Sequence, residues 1–172
     1  MRVMNTIPLS DVSLPSFTVF DKGWFLVTAG DFATGRFNAM TVSWGFLGTM
    51  WNKPVAQIVI RPQRYTREFL DEFDTFTVSA FPESCRKALA LLGSKSGRDS
   101  DKIAEAGLHP IAATTVAAPT FAEATLALEC RKLYRQEMKD ESFLDRDVLR
   151  QMYPENDLHI VYIGEVLAAT KA

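Results

Sequence analysis

The alternation of apolar and polar positions divides the chain into strand-like and helix-like runs. GWFLVTAGD, residues 23–31, is aromatic and β-branched and is bounded by glycine and aspartate, the pattern of a buried strand. A turn at Ala33–Gly35 sends the chain back as RFNAMTVSWGFLG, 36–48, so the two runs predict a hairpin. NKP, 52–54, turns again into a third strand, VAQIVI, 55–60. The period then changes. Tyr65, Phe69, Leu70 and Phe73 fall on one helical stripe, with Thr66 placed to act as N-cap. TFTVSAF, 75–81, predicts a strand, and ESCRKALALLG, 83–93, a helix closed by Gly93. DSDKIAEAG, 99–107, predicts a short helix with Gly107 behind it.

EATLALECRKLYRQEM, 123–138, is rich in helix formers. Ala124, Leu126, Leu128 and Cys130 nevertheless alternate with Glu123, Thr125, Ala127 and Glu129, which favours a strand with one wet face. SFLDRDVLRQMY, 142–153, predicts a helix that Pro154 ends, and LHIVYIGEVLAA, 158–169, a last strand buried on both faces. Antiparallel strands joined by hairpins, with short helices inserted, predict an α+β, mainly β chain: a small barrel with helical additions.

The bulk properties narrow the function classes. The 172 residues carry no repeat, low-complexity tract or linker, so one domain, 1–172, is expected. A hydrophobic fraction of 47% with 23% charged residues fits a globular protein, and a net charge of −2 argues against a nucleic-acid binder. The start, MRVMNTIPLSDVSLPS, lacks an apolar run of signal-peptide length and no later run approaches a membrane span, so a cytoplasmic location without membrane association is expected. Cys85 and Cys130 lack CxxC spacing and read as free thiols, and two histidines without a nearby Cys or Glu cluster make a metal site improbable.

Nucleophile-elbow, P-loop and Rossmann glycine fingerprints are all absent. Three polar segments stand out instead. NAMTVSWG, 38–45, places Ala39, Thr41, Ser43 and Gly45 on one side of a strand and gives up the bulk a core would prefer. The Asn38 amide and the hydroxyls of Thr41 and Ser43 can bond a ligand's heteroatoms, Trp44 offers a flat face, and Gly45 and Gly48 permit close approach. RPQRYT, 61–66, joins a strand to a helix and supplies Arg61, Arg64 and the Thr66 hydroxyl beside free helix N-terminal amides, groups that bind a phosphate dianion. SKSGRDSDK, 94–102, leads into a helix with Lys102 in its first turn, where the helix dipole disfavours a cation unless it faces an anion or an electron-rich ring. Each has a plain structural alternative: a half-exposed edge strand, two solvated arginines with a routine cap, a surface lysine in a loop.

Taken in order, NAMTVSWG, KP before an apolar strand, RPQRYT, SGRDSDK, LECR and HIVYIGEV make the chain resemble the flavin reductase-like, FMN-binding split-barrel family and, within it, the flavoredoxin branch. The resemblance runs from about Trp24 to Leu167. It implies a six-stranded antiparallel Greek-key split barrel, non-covalent FMN, and a homodimer whose interface closes over the flavin. It places Asn38, Thr41, Ser43 and Trp44 along the cofactor and Arg61, Arg64, Tyr65 and Thr66 at the ribityl phosphate. Lys102 lies close to the flavin by the same likeness, with Ser96, Gly97 and Asp99 in its loop, and His159 faces the site from the last strand. His109 is given no role. Many members continue past the last strand with a tail over the flavin; this sequence ends soon after EVLAATKA, which leaves the cover of the outer ring face open.

The activity so implied is an NAD(P)H-dependent flavin reductase-type oxidoreductase, with FMN carrying the electrons and no side chain needed as nucleophile or general base. Two alternatives stay open: an electron carrier served by a partner protein without direct NADH or NADPH oxidation, and a flavin-free barrel module. Phe46, Met50 and Trp51 form an apolar cluster that is either core or a subunit contact.

Overall fold

The computed structural model describes residues 4–172. Its frame is one antiparallel sheet. A short strand β1 (Asn5–Ile7) precedes the long strands β2 (Phe25–Asp31), β3 (Arg36–Val42), β4 (Gly45–Met50) and β5 (Lys53–Ile60). Helix α1 (Thr66–Glu72) leads to β6 (Thr75–Ala80), then α2 (Arg86–Ser94) and α3 (Lys102–Glu105). A small ribbon, β7 (Pro110–Ile111) with β8 (Thr120–Phe121), is followed by β9 (Leu126–Glu137), α4 (Arg146–Met152) and β10 (Ile160–Lys171). The strands run in the order β3-β2-β6-β9-β10-β5-β4, with β1 on the far end of β10.

The predicted strand over 36–48 is the main correction. Its first half, β3, pairs with β2, and its second half, β4, pairs with β5. These are the two edges of the sheet. Ser43 and Trp44 therefore carry the chain from one edge to the other, and the barrel is split where they cross. Dividing that strand in two, and adding β1, turns the expected six strands into eight.

Alternation decides which core each side chain enters. Phe25, Val27 and Ala29 of β2 join Met40, Val42, Ile58, Phe76, Cys130 and Tyr162 in the barrel interior. Leu26 and Ala39 face the other way and meet Leu89 and Leu92 of α2, with Ile103 and Phe121. The twelve-residue β10 pairs with β5 on one side and β9 on the other, and register shifts at Ile163/Gly164 and Val166/Ala168 bend it. At that bend a side chain on Gly164 would meet the Phe76 ring at 2.6 Å, so glycine is what lets the curve close on the core.

Three local expectations fail for identifiable reasons. Thr66 does not cap α1: Tyr65 precedes the helix, and the Thr66 hydroxyl accepts instead from Asn38. Gly93 does not end α2, which continues to Ser94; it lies 3.4 Å, by its would-be Cβ, from Thr41, where the helix crosses β3. The face of β9 expected to be wet is covered, because the segment 112–119 folds over it and buries Glu129 completely. Elsewhere the predicted elements stand, including the ambiguous 123–138 run as a strand and α4 ending before Pro154.

Candidate functional site

The split in the sheet forms a cleft of about 180 Å³, lined by Met40, Thr41, Val42, Ser43 and Trp44 along β3 and its exit, by Val59 of β5 with Arg61 and Arg64 just beyond it, and by His159. Because β3 is paired only with β2, its outer backbone N–H and C=O groups are not used by another strand of the sheet. The polar side chains of β3 have other work. Asn38 Nδ2 donates to Thr66 Oγ1 at 2.8 Å and Thr41 Oγ1 donates to Leu89 O at 2.6 Å. Thr41 lines the cleft with its hydroxyl engaged, and beside it runs the edge of β3 that pairs with no other strand of the sheet. Gly45 is explained from within the chain too: a Cβ there would meet the Phe20 ring and Gln57 O at 2.5–2.6 Å, whereas Gly48 faces open space.

The two arginines differ. Arg61 pairs with Asp157 at 2.5 Å, donates to Met152 O at 2.9 Å and lies over the Tyr153 ring at 5.2 Å. It clasps the segment after α4 onto the end of β5. Arg64 Nη2 is buried and makes no hydrogen bond, and burial alone lowers this guanidinium's pKa. A buried donor without a partner costs on the order of 1–3 kcal/mol, more when charged.

A second cleft, about 590 Å³, is lined among others by Asn38, Tyr65, Gly97, Asp99 and Lys102. Lys102 is the first residue of α3 and is buried; its Nζ donates to Leu92 O at 3.1 Å and Lys95 O at 3.0 Å, the C-terminal carbonyls of α2. Burial first, then the positive charge of Arg64, brings its pKa down to about 8. Arg64 thus adds positive charge near Lys102, and among the described residues no carboxylate offsets either cation. Arg98 lies over the Tyr65 ring at 4.7 Å and bonds Glu68. Gly97 packs so tightly on Asn38 and Tyr65 that a Cβ would clash. Asp99 is exposed, and Ser96 Oγ accepts from Arg98 N at 3.2 Å.

The sequence-predicted residues are therefore gathered in two groups. Thr41, Ser43, Trp44, Arg61, Arg64 and His159 share the first cleft, and Asn38, Tyr65, Gly97, Asp99 and Lys102 the second, with Thr66 buried and bonded to Asn38. Sequence reading missed Asp157 and Tyr153. Asp157 stands beside His159 in a loop with no motif, and Tyr153 reads only as the end of an amphipathic helix. Among the described residues, no group of three or more His, Cys, Asp or Glu side chains is placed to hold a metal ion, and no helix is long and apolar enough to cross a membrane.

An antiparallel sheet left open at one seam, with a polar cleft at the opening, defines the split-barrel class. The chain belongs to the flavin reductase-like family: the family model for the flavin reductase like domain matches residues 17–171. The fold is similar to that of an FMN-binding domain of a flavin reductases-like enzyme from Shewanella baltica OS155, with TM-score 0.71 and 18% identity over 98% of this chain and 77% of that one. It is similar as well to flavoredoxin of Desulfovibrio vulgaris (Miyazaki F), with TM-score 0.68 and 22% identity over 94% of this chain and 76% of that one. An NADH:FAD oxidoreductase from Streptomyces globisporus C-1027 shares the fold with TM-score 0.65 and 21% identity, over 87% and 75% of the two chains. A protein from Aeropyrum pernix is 30% identical over 96 residues, 55% of this chain and 36% of that protein, so this chain matches about a third of that relative's length.

Proposed function

We propose that this protein binds FMN non-covalently and acts as an NAD(P)H-dependent flavin reductase-type oxidoreductase. The observation that carries the reading is a pair of neighbouring cations, half-buried Arg64 with its Nη2 unbonded among the described residues and buried Lys102 with its lowered pKa. Such a pair is stabilised by an anion, and the phosphate of FMN supplies one. FMN, when bound, supplies the redox chemistry, taking a hydride from NADH or NADPH and passing the electrons on.

The chain's own part is to bind and orient. Arg64 and Lys102 hold the phosphate end, the outer edge of β3 offers backbone donors and acceptors to the polar rim of a ring, and Trp44 supplies a flat apolar wall. Anaerobic mixing of the FMN-loaded protein with NADH and with NADPH tests the enzyme reading: rapid bleaching of the flavin colour is expected. Absence of bleaching by either nucleotide would favour the electron-carrier alternative, and failure to take up FMN would end both.

The Lys102 part of the proposal has a pH signature. A bound anion favours the protonated amine, so FMN affinity is full below about pH 8 and declines as pH rises through the lysine's pKa of about 8. The second ionisation of a phosphate monoester, near 6, is complete by then and does not contribute. Fluorescence titrations from neutral to alkaline pH should show this decline in the wild type and lose it in Lys102→Met. An identical decline in the variant would remove Lys102 from the phosphate site.

We infer further that two copies associate through β4. Its GFLGTM sequence is uncharged, it is an edge strand, and Phe46 is 70% exposed, with Met50 and the adjoining Trp51 also exposed. The core alternative for this cluster is thereby gone. A groove of about 730 Å³ beside β4, lined by Leu14, Phe17, Phe20, Trp44, Phe46 and Leu47 among others, adjoins the cleft through Ser43 and Trp44. Sedimentation should report a dimer at micromolar concentration, and Phe46→Glu should shift it to monomer. A wild-type monomer would overturn the assignment.

A further inference from the structure

His159 is buried, yet its ring lines the cleft beside Trp44 and Arg64. It is held on two sides. The Trp44 ring lies 5.2 Å away, tilted by 47°, and the Tyr153 ring 5.5 Å away, edge-on. Tyr153 follows α4 directly, bonds back to Leu149 O at 3.0 Å, and is itself wedged between the Phe143 ring and the guanidinium of Arg61. This packing leaves its hydroxyl 2.8 Å from His159 Nδ1.

The hydroxyl has one proton and two candidate acceptors, His159 Nδ1 at 2.8 Å and Met138 Sδ at 3.7 Å. An unprotonated imidazole nitrogen is a far stronger acceptor than a thioether. Donation by Tyr153 to Nδ1 places the ring's own hydrogen on Nε2. A doubly protonated ring is opposed by burial and then by the charge of Arg61, which Asp157 offsets only in part; together they bring the pKa of His159 down to about 4.

We propose that Tyr153 is a positioning residue whose hydroxyl locks His159 as the Nε2–H tautomer, so that the cleft receives one neutral hydrogen-bond donor beside the cationic Arg64. The two groups then divide recognition between them. Arg64 answers a negative charge, and His159 answers an uncharged acceptor, a carbonyl oxygen or a ring nitrogen. The inference takes the cleft of the proposed function as the ligand site, but its first claim concerns only atoms of this chain.

The test is spectroscopic and needs no cofactor. The chain has two histidines, and His109, exposed and beside Glu123 at 2.6 Å, is readily told from His159. Long-range 1H–15N correlation spectra of labelled protein at neutral pH should show His159 protonated on Nε2, with Nδ1 of the hydrogen-bond-accepting type. Tyr153→Phe, which keeps the ring and removes the hydroxyl, should lose that signature and give mixed tautomers, whereas Met138→Leu should retain it. A wild-type proton on Nδ1, or a Tyr153→Phe spectrum matching the wild type, would overturn the proposal. The wild-type spectrum is decisive even if the variant folds poorly. Failure to bind FMN would remove the proposed function and leave the tautomer assignment standing.

Discussion

Arg64→Met is expected to weaken FMN binding on the order of ten- to a hundredfold while leaving riboflavin binding nearly unchanged. The side chain holds a buried Nη2 with no hydrogen-bond partner among the described residues, so a ligand anion that reaches it breaks no existing bond. A charge-assisted hydrogen bond contributes about 1.5–3 kcal/mol, which sets the range. Riboflavin lacks the phosphate and serves as the internal control. The same substitution should leave the cofactor-free protein at least as stable as the wild type, because it removes a desolvated cation that nothing among the described residues neutralises. Fluorescence titration and thermal melting check the two halves. Equal losses for FMN and riboflavin would mean that Arg64 supports the cleft without meeting the phosphate. Arg61 should behave differently: its donors already serve Asp157 and Met152, so Arg61→Ala should loosen the segment after α4 as well as any ligand.

Glu129→Ala should be the most damaging change for stability outside the apolar core. The carboxylate is fully buried, and each oxygen receives two hydrogen bonds. One accepts from Thr114 N and Oγ1 at 2.9 Å, the other from Thr115 N and Oγ1 at 2.6 Å. This staple pins the segment 112–119 across β6 and β9; Thr77 donates to Pro119 O at 2.6 Å and Phe32 N to Ala117 O at 2.9 Å along the same stretch. Bonds to a charged acceptor are worth roughly 1.5–3 kcal/mol each, and water can replace part of them because Thr114 and Thr115 are exposed, so a net loss of about 2–4 kcal/mol is expected. For a chain of this size that is a melting temperature lower by roughly 5–15 °C. Faster amide exchange in 112–119 should accompany it. An unchanged melting temperature would show that the segment is held by other contacts.

The segments that line the two clefts stand out in the sequence; the partners of their side chains do not. NAMTVSWG, RPQRYT and SGRDSDK all contribute residues to the two clefts. What each side chain can offer a ligand depends on the partners it already has. Asn38 and Thr41 spend their polar groups on Thr66 and Leu89, and Arg61 spends its own on Asp157. A sequence gives the donors a residue owns and says nothing of which are already taken. Tyr153 could not be found by spacing at all, since its role depends on a hydroxyl meeting a ring across the turn that joins α4 to β10.

What the sequence determined by itself are the properties written at short range: where periods of two and 3.6 begin and end, the strand character of 123–138, the stop before Pro154, and the family likeness. The tertiary structure decided whatever depends on which distant segments meet. Edge strands are defined by the absence of a neighbour, so the break at Ser43–Trp44 between β3 and β4 has no local mark. Burial of Glu129 under a loop, and the nearness of Arg64 to Lys102, are likewise sums over residues far apart in the chain. Alternation fixes the face on which a side chain lies; only packing fixes what lies opposite that face, and the free energy of a polar group is set by what it meets there.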